Sequence, residues 1–538
     1  MKLPYLNELT KKQTSTVFTQ AFKGYNHNLR SETGEFYLMK NMTTDHYPVL
    51  TTRTGEDEQH TFSGNPNGIF EYEENKLMVV AGKNLYVKVT DGLGEMQMIT
   101  TLTDSEKYFA QIGTKTVIMP DKVIYDAKTN TASKIEKTFR TVTETVGNET
   151  QRAVIQKESC DIYGQTYSPE SSNTAPSDTT KYWYDTTSDL LKKYSEASQT
   201  WVVVDSPYMR LLPAISTTTP DYTNPQQTID ADVAAQRNAL STFFGTLEVM
   251  DTVSIAFSSA EGAETTDYVV FGKGSVTGQT GLVRNYIVVV GYPSQEVNNY
   301  TVKNKCPDLT HICALNNRVW GVDNNTHTIH ACKLGDPTQW YNYPGLAADS
   351  YYVALPTRDE VTGCASYSNI VHFFTEDKVM KIYGDYPSNY QLAEYKMDGV
   401  IKGGHKTVVP VEGVLYYVSP VGVMAYDGSF PSIISNKLAP HFLYGKILVA
   451  GRDQTKYCLS VSINDEPFGV FMYDTQSGLW VIGSDQMFRY TSQYKNSLTF
   501  LNINCKWVTV YDREKYFDWI GLAGDPLLNI DREIITLA

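Results

Sequence analysis

Six side chains able to hold a soft metal ion fall between positions 306 and 332: Cys306, His311, Cys313, His327, His330 and Cys332. Zinc centres draw on tight pairs such as C-x-x-C, which deliver two ligands from one turn. Cys306 and Cys313 are seven apart, and only His330 and Cys332, two apart, would share the face of a strand. Without a tight pair the segment reads as core cysteines and surface histidines, so neither a metal site nor a cofactor is expected.

Carboxylate pairs are the next chemistry to weigh. Hydrolysis of a sugar polymer needs two acids facing one cleft. The pairs Asp359/Glu360, Glu376/Asp377 and Asp465/Glu466 all fall at turns between strand-like runs, where acids commonly serve to solvate a loop. The Ser-x-Asp-x-Gly-x-x-Trp box of sialidases, the G-x-S-x-G elbow, the phosphate-binding P-loop and H-E-x-x-H are all missing. The glycine-rich stretch Gly399–His405 lacks the strand-then-helix context of a phosphate cradle. No catalytic residue is expected, and the chain does not read as an enzyme.

Aromatic clusters remain. Tyr182-Trp183-Tyr184 and Trp340-Tyr341-Asn342-Tyr343 could stack on sugars, but such clusters serve equally well in sheet packing or a subunit contact, which is the preferred reading. With the aromatics of the N-terminal segment, the candidates for an interface or binding surface are Phe36, Tyr37, Tyr47, Trp183, Trp340 and Tyr341.

The elements that would position these residues are β-strands. The chain has 538 residues, 12% of them aromatic with 38 tyrosines, and only 20% charged; that is a packed β composition and excludes a largely disordered chain. The formal charge of −14 gives no general basic surface for gripping nucleic acid. The seven cysteines are odd in number and scattered, and read as reduced thiols of a protein assembled in a cytoplasm. The N-terminus shows no apolar secretory core, and no stretch approaches the ~18–20 apolar residues of a membrane span, so no membrane insertion is expected.

Residues 1–64 mix aromatics with polar residues and show no clean period; they predict an extended N-terminal arm. From Gly68, GIFEYEENKLMVVAGKNLYVKV predicts three strands in a meander, and 108–136 continues with strands punctuated at Gly113 and Pro120-Asp121. Residues 137–305 break the rhythm and predict an inserted β-rich domain. Within it, 170–180 reads as an exposed polar loop, 181–206 as a hairpin module, and 230–244, dense in Ala and Leu, as a short helix. The meander resumes at 306 and continues to 538. Its clearest unit is VLYYVSPVGVMAYDG (414–428), two strands reversed at Ser419–Gly422.

A Tyr-Asp pair ends strands at Tyr125-Asp126, Tyr184-Asp185, Tyr426-Asp427, Tyr473-Asp474 and Tyr511-Asp512. An Asp there can accept the amide hydrogens of the following turn while the aromatic covers the sheet edge. The steps from 426 to 473 and from 473 to 511 bracket the ~40–50 residues of one four-stranded propeller blade. The predicted fold is therefore mainly β: a β-propeller of about five to eight blades. Blades at 65–136 and 306–538 are separated by the small domain at 137–305 and preceded by the arm.

Several segments together resemble the tail hub or nozzle ("DNA stabilisation") propeller proteins of short-tailed bacteriophages and related prophages. They are GYNHNLRSETGEFYLMKNMTTDHYPVLTTR, NRVWGVDNNTHTIHACKLGDPTQW, DGVIKGGHKTVV, LYYVSPVGVMAYDGSFPSIISNKL and YDTQSGLWVI. The resemblance implies a structural virion protein of the tail, assembled in the host cytoplasm as a homo-oligomeric ring at the distal end. It implies neighbours such as adaptor, fibres or needle, and genomic DNA passing without specific binding. It carries over no catalytic residues. The arm and the inserted domain are the expected ring contacts, and the strand-like end DREIITLA fits either a truncated chain or a strand completed by a neighbouring subunit. The alternative is a carbohydrate-binding propeller module for host-surface recognition.

Overall fold

The computed structural model describes residues 22–28, 30–53, 55–73, 76–88, 96–146, 149–204, 207–217, 229–258, 264–278, 281–291, 299–438, 447–463, 466–484, 486–495, 497–510 and 533–535. Among them, seven four-stranded antiparallel sheets follow the blade pattern. Sheet 1 runs from Pro66–Glu73 to Gln97–Thr101, sheet 2 from Tyr108–Ile112 to Thr131–Lys134, and sheet 3 from His311–Leu315 to Tyr351–Ala354. Sheet 4 runs from Gly363–Tyr367 to Gln391–Lys396, sheet 5 from Val409–Val411 to Ser432–Ile433, and sheet 6 from Ile447–Asp453 to Leu479–Ser484. Sheet 7 has Phe488–Tyr494, Ser497–Asn502 and Lys506–Val510, and takes its fourth strand, Glu56–Thr61, from ahead of sheet 1. A mainly β chain of consecutive four-stranded meanders, the last completed by the strand before the first, is of the β-propeller class.

The chain divides into two compact units, one of Met1–Tyr108, Asp359–Ile382 and Leu392–Ala538, the other of Phe109–Arg358 and Tyr383–Gln391. The expected arm, 1–64, falls within the first unit and the expected insert, 137–305, within the second.

In the first unit, successive sheets pack face to face, so the central strands are buried on both sides. Val414–Ser419 shows how. Tyr416 and Val418 join a core with Tyr457, Leu459 and Val449 of sheet 6. Leu415 and Tyr417 join another with Phe374 and Val379 of sheet 4. A strand with two buried faces has no polar side to alternate with, which is why VLYYV is a continuous apolar run. Leu77 and Val79 of sheet 1 pack likewise on Leu501 and Trp507 of sheet 7.

The arm is not a free extension. Gly24 lies so close to sheet 6 that a Cβ there would sit 2.8 Å from the Trp480 carbonyl, and its φ of +85° is one that glycine adopts without strain. The next amide, Tyr25 N, donates to that same carbonyl at 2.6 Å, and His27 N donates to the Lys437 carbonyl. Met39 and Met42 are buried in the sheet 5–6 core. The strand Glu533–Ile535 pairs antiparallel with Leu38–Lys40 of the same chain. This corrects the expectation of a strand left for a neighbouring subunit: the arm offers it an edge.

In the second unit, residues between sheets 2 and 3 form three further sheets. One has Thr138–Arg140, Thr301–Asn304, Thr252–Ala256 and Thr266–Val269. The second is five-stranded around Glu149–Cys160 and Tyr208–Thr217, and the third has Glu170–Ser172, Tyr182–Asp185, Leu190–Ser195 and Thr200–Val203. Helix α1 (Ala231–Thr246) starts at Asp230, whose carboxylate accepts from the amides of Asp232 and Val233. It buries Leu240, Phe243 and Phe244 against Ile155, Leu211 and Ile287. Glu170–Ser172, read from the sequence as loop, is instead a short strand parallel to Tyr182–Asp185. Its polar composition hid a pairing supplied by a neighbour.

The Tyr-Asp turns form as local chemistry dictates. Asp126, Asp185, Asp427 and Asp474 each accept the amide two residues on, at 2.9–3.0 Å, and Asp323, which follows a valine, does the same. Tyr184-Asp185 lies in the third of these additional sheets, so the pair marks a turn and not a blade. Tyr511-Asp512 lies outside the described residues.

Candidate functional site

The six aromatic candidates separate sharply by burial. Trp340 is fully buried, with its indole N–H donating to the Pro337 carbonyl at 2.9 Å. Trp183 is buried under Lys192 and edge-on to Trp201, its N–H donating to the Ser172 carbonyl. Of the roles weighed for these clusters, their burial fits sheet packing and not stacking on a sugar. Tyr341 is half-buried beneath Lys305, and its carbonyl accepts from Thr252 N. Phe36 packs 5.6 Å from Phe22 against the sheet 5–6 core, and Tyr37 stacks on His27 at 3.9 Å. Tyr47, at the tip of the hairpin Met42–His46/Val49–Thr52, is the candidate that stays largely exposed. More exposed aromatics stand elsewhere, with Tyr163 at 80% and Phe430 at 71%; no periodicity marks them because each sits at a loop.

The segment 306–332 likewise assembles no ligand set: among the described residues no group of three or more His, Cys, Asp or Glu could hold a metal ion. Cys306 and Cys332 are buried thiols, and burial pushes Cys332 up to about 12. His330 departs from the expectation of surface histidines. It is buried, and desolvation lowers it to about 4. Its Nε2 lies 2.8 Å from the Thr328 hydroxyl. Of the carboxylate pairs, Glu360 and Asp359 each bind a lysine at the surface, and Asp465 lies outside the described residues.

The concavity with most chemistry lies in the first unit. It is a cleft of about 490 Å³ lined by first strands of sheets 5, 6, 7 and 1. Each of those strands is an edge of its own sheet, so its outer backbone groups need partners. Sheet 7 supplies them through strand alternation. Thr491 Oγ1 and Gln493 Nε2 donate to the carbonyls of Ala450 and Arg452 on sheet 6, and between them Ser492 Oγ accepts from Glu71 N on sheet 1.

At one end of the cleft, Glu106 gathers two donors. His405 Nε2 lies 3.1 Å and Lys406 Nζ 2.7 Å from its Oε1; a carboxylate only accepts, so the imidazole nitrogen donates. Lys406 also lies 4.0 Å over the Tyr490 ring, and Tyr108 packs 5.4 Å from His405. Burial acts to raise the Glu106 carboxyl, but the hydrogen bond and charge of His405, with those of Lys406, outweigh it and hold the group at about 2 against an ordinary 4.5. Burial lowers Lys406.

The sign of the pH effect follows. A carboxyl depressed in the folded state contributes stability present above pH 4.5, and that stability is lost as pH falls toward 2. Urea midpoints measured at pH 6, 4.5 and 3 should therefore fall more steeply below 4.5 in the natural chain than in Glu106→Gln. Parallel curves for the two proteins would show that the group carries no such linkage.

No family model matches the chain, and no curated protein matches it. Among solved structures it is similar to the mitotic checkpoint complex, at 8% identity and a TM-score of 0.36 over 86% of this chain and 95% of that one. It is also similar to a catalytically inactive virginiamycin B lyase from Staphylococcus aureus, at 11% identity and a TM-score of 0.23 over 49% of this chain and 96% of that one. A third is the computationally designed Ika8 protein, at 10% identity and a TM-score of 0.23 over 85% and 99%. Likeness at this level says nothing about what the chain binds or does. Among the described residues, no helix is long and apolar enough to cross a membrane.

Proposed function

We propose that this chain is a structural protein of a bacteriophage tail, a nozzle or hub subunit that forms a homo-oligomeric ring at the distal DNA exit and a platform for other tail proteins. The observation that carries a mechanical reading is the bracing of the first unit from both directions along the chain. Glu56–Thr61 completes sheet 7, the arm is hydrogen-bonded to the Trp480 and Lys437 carbonyls, and Glu533–Ile535 is laddered onto Leu38–Lys40. Such ladders cover sheet edges and make several hydrogen bonds break together under load. The segments that resemble phage nozzle proteins supply the biological setting, a virion tail assembled in the host cytoplasm. The charge of −14 suits a conduit, since an acidic wall repels phosphate and lets DNA pass without specific binding.

Mass photometry and negative-stain imaging of the purified chain test the reading, together with duplex-DNA binding at low salt. Ring-sized species and no tight, sequence-independent DNA binding are expected. A chain that stays monomeric at all concentrations, or grips duplex DNA tightly, overturns it.

A further inference from the structure

The cleft among sheets 5, 6, 7 and 1 holds more positive charge than its own acids neutralise. Arg452 stands on the first strand of sheet 6 and Lys406 just ahead of sheet 5, both lining the cleft; Arg489, on the first strand of sheet 7, is not part of the lining but lies close enough to Lys406 for their charges to repel. The acids facing them are Glu106, shared by His405 and Lys406, and Glu71, which is itself engaged. Among the described residues, neither Arg452 nor Arg489 has a carboxylate partner, and both are half-buried. An unpaired guanidinium in a partly enclosed site is costly in a chain with a large surplus of acids, unless an anion completes it.

A donor lines the same cleft. Ser492 Oγ accepts from Glu71 N, which leaves its own hydroxyl hydrogen free to donate. We propose that this cleft binds a small oxyanion, a phosphate or carboxylate group carried by a small molecule. Arg452 is the principal ligand, Ser492 a hydroxyl donor, and Lys406 with Arg489 supply the surrounding field. The guanidinium offers two parallel N–H donors that match the two oxygens of such a group. A space of about 490 Å³ is of the size of small-molecule sites and far too small for a nucleic-acid duplex. The site is thus compatible with DNA passing the protein unbound.

The test uses the full chain, with inorganic phosphate and glucuronate titrated separately by calorimetry at constant ionic strength. Saturable binding of at least one probe is expected, and the stronger probe identifies whether phosphate or carboxylate is the natural group. Loss of one charge-assisted contact weakens binding about 10- to 100-fold, so Arg452→Gln should lose most of the affinity and Ser492→Ala a smaller part. Lys23→Gln, which removes an exposed cation paired with Glu32 elsewhere on the unit, should bind as the natural chain does. Circular dichroism melts confirm that each variant is folded. Absence of saturable binding to either probe overturns the proposal, as does equal affinity in the natural chain, Arg452→Gln and Ser492→Ala.

Discussion

Trp480→Ala is expected to cost about 3–5 kcal/mol, the range for truncating a fully buried tryptophan. Typical domains are stable by about 5–15 kcal/mol, so this one change should remove a large share of the first unit's stability. Three attachments meet at this residue. Its ring lies 5.1 Å from Tyr473 inside the core shared by sheets 5, 6 and 7. Its indole N–H donates to the Ile434 carbonyl at 2.8 Å, tying sheet 6 to the end of sheet 5. Its carbonyl receives the Tyr25 amide, tying on the arm. Urea unfolding followed by circular dichroism measures the loss, and limited proteolysis should find the arm around residues 22–40 newly accessible. Trp480→Phe keeps most of the packing but strands the Ile434 carbonyl, so an intermediate loss of about 1–2 kcal/mol is expected. A change below about 1 kcal/mol for Trp480→Ala would show that the arm and sheets are held by other contacts.

Lys456→Met is the second large effect. Lys456 pairs with Asp45 of the arm hairpin where both side chains are less than a tenth exposed, and it also donates to the Thr43 hydroxyl at 2.8 Å. Arg53, also at this site, pairs with Glu56 and donates to the Asn41 side chain. Removing Lys456 alone takes a charged partner away from a buried carboxylate, which costs up to about 3–5 kcal/mol. The pair as a whole contributes far less, because each ion also loses its hydration on burial. The double variant Asp45→Asn/Lys456→Met should therefore recover most of the loss. Denaturation midpoints for the two single variants and the double variant form a cycle that reads this coupling. Strict additivity would mean that the two groups do not interact.

Both predictions depend on contacts that no local pattern announces. Lys456 and Asp45 are separated by 411 positions, Glu106 and His405 by 299. The aromatic candidates fared according to the same limit. Residue type says that Trp340 wants cover and that its N–H wants an acceptor. Whether the cover comes from its own loop, as with Pro337, or from a second molecule depends on what the rest of the chain brings alongside. Arg318 shows this from the polar side. It reads as a surface cation but is buried, donating to the carbonyls of Cys332, Asp349 and Ala347.

What the amino-acid order determines unaided is what residues within a few positions can settle. Asp230 satisfies the first amides of α1, Asp126, Asp427 and Asp474 close their turns two residues on, and the apolar run from Val414 to Val418 makes a strand that must be covered on both faces. Those interactions span short distances along the chain and cost little loop entropy, so they are written in the local sequence. Only the tertiary structure decided that Glu56–Thr61 joins Lys506–Val510, that Glu533–Ile535 lies on the arm, and that four edge strands leave Arg452 facing a cleft. An edge strand's backbone accepts many possible partners with similar hydrogen bonds. The choice among them is made by burial summed over the whole unit and not by any segment on its own.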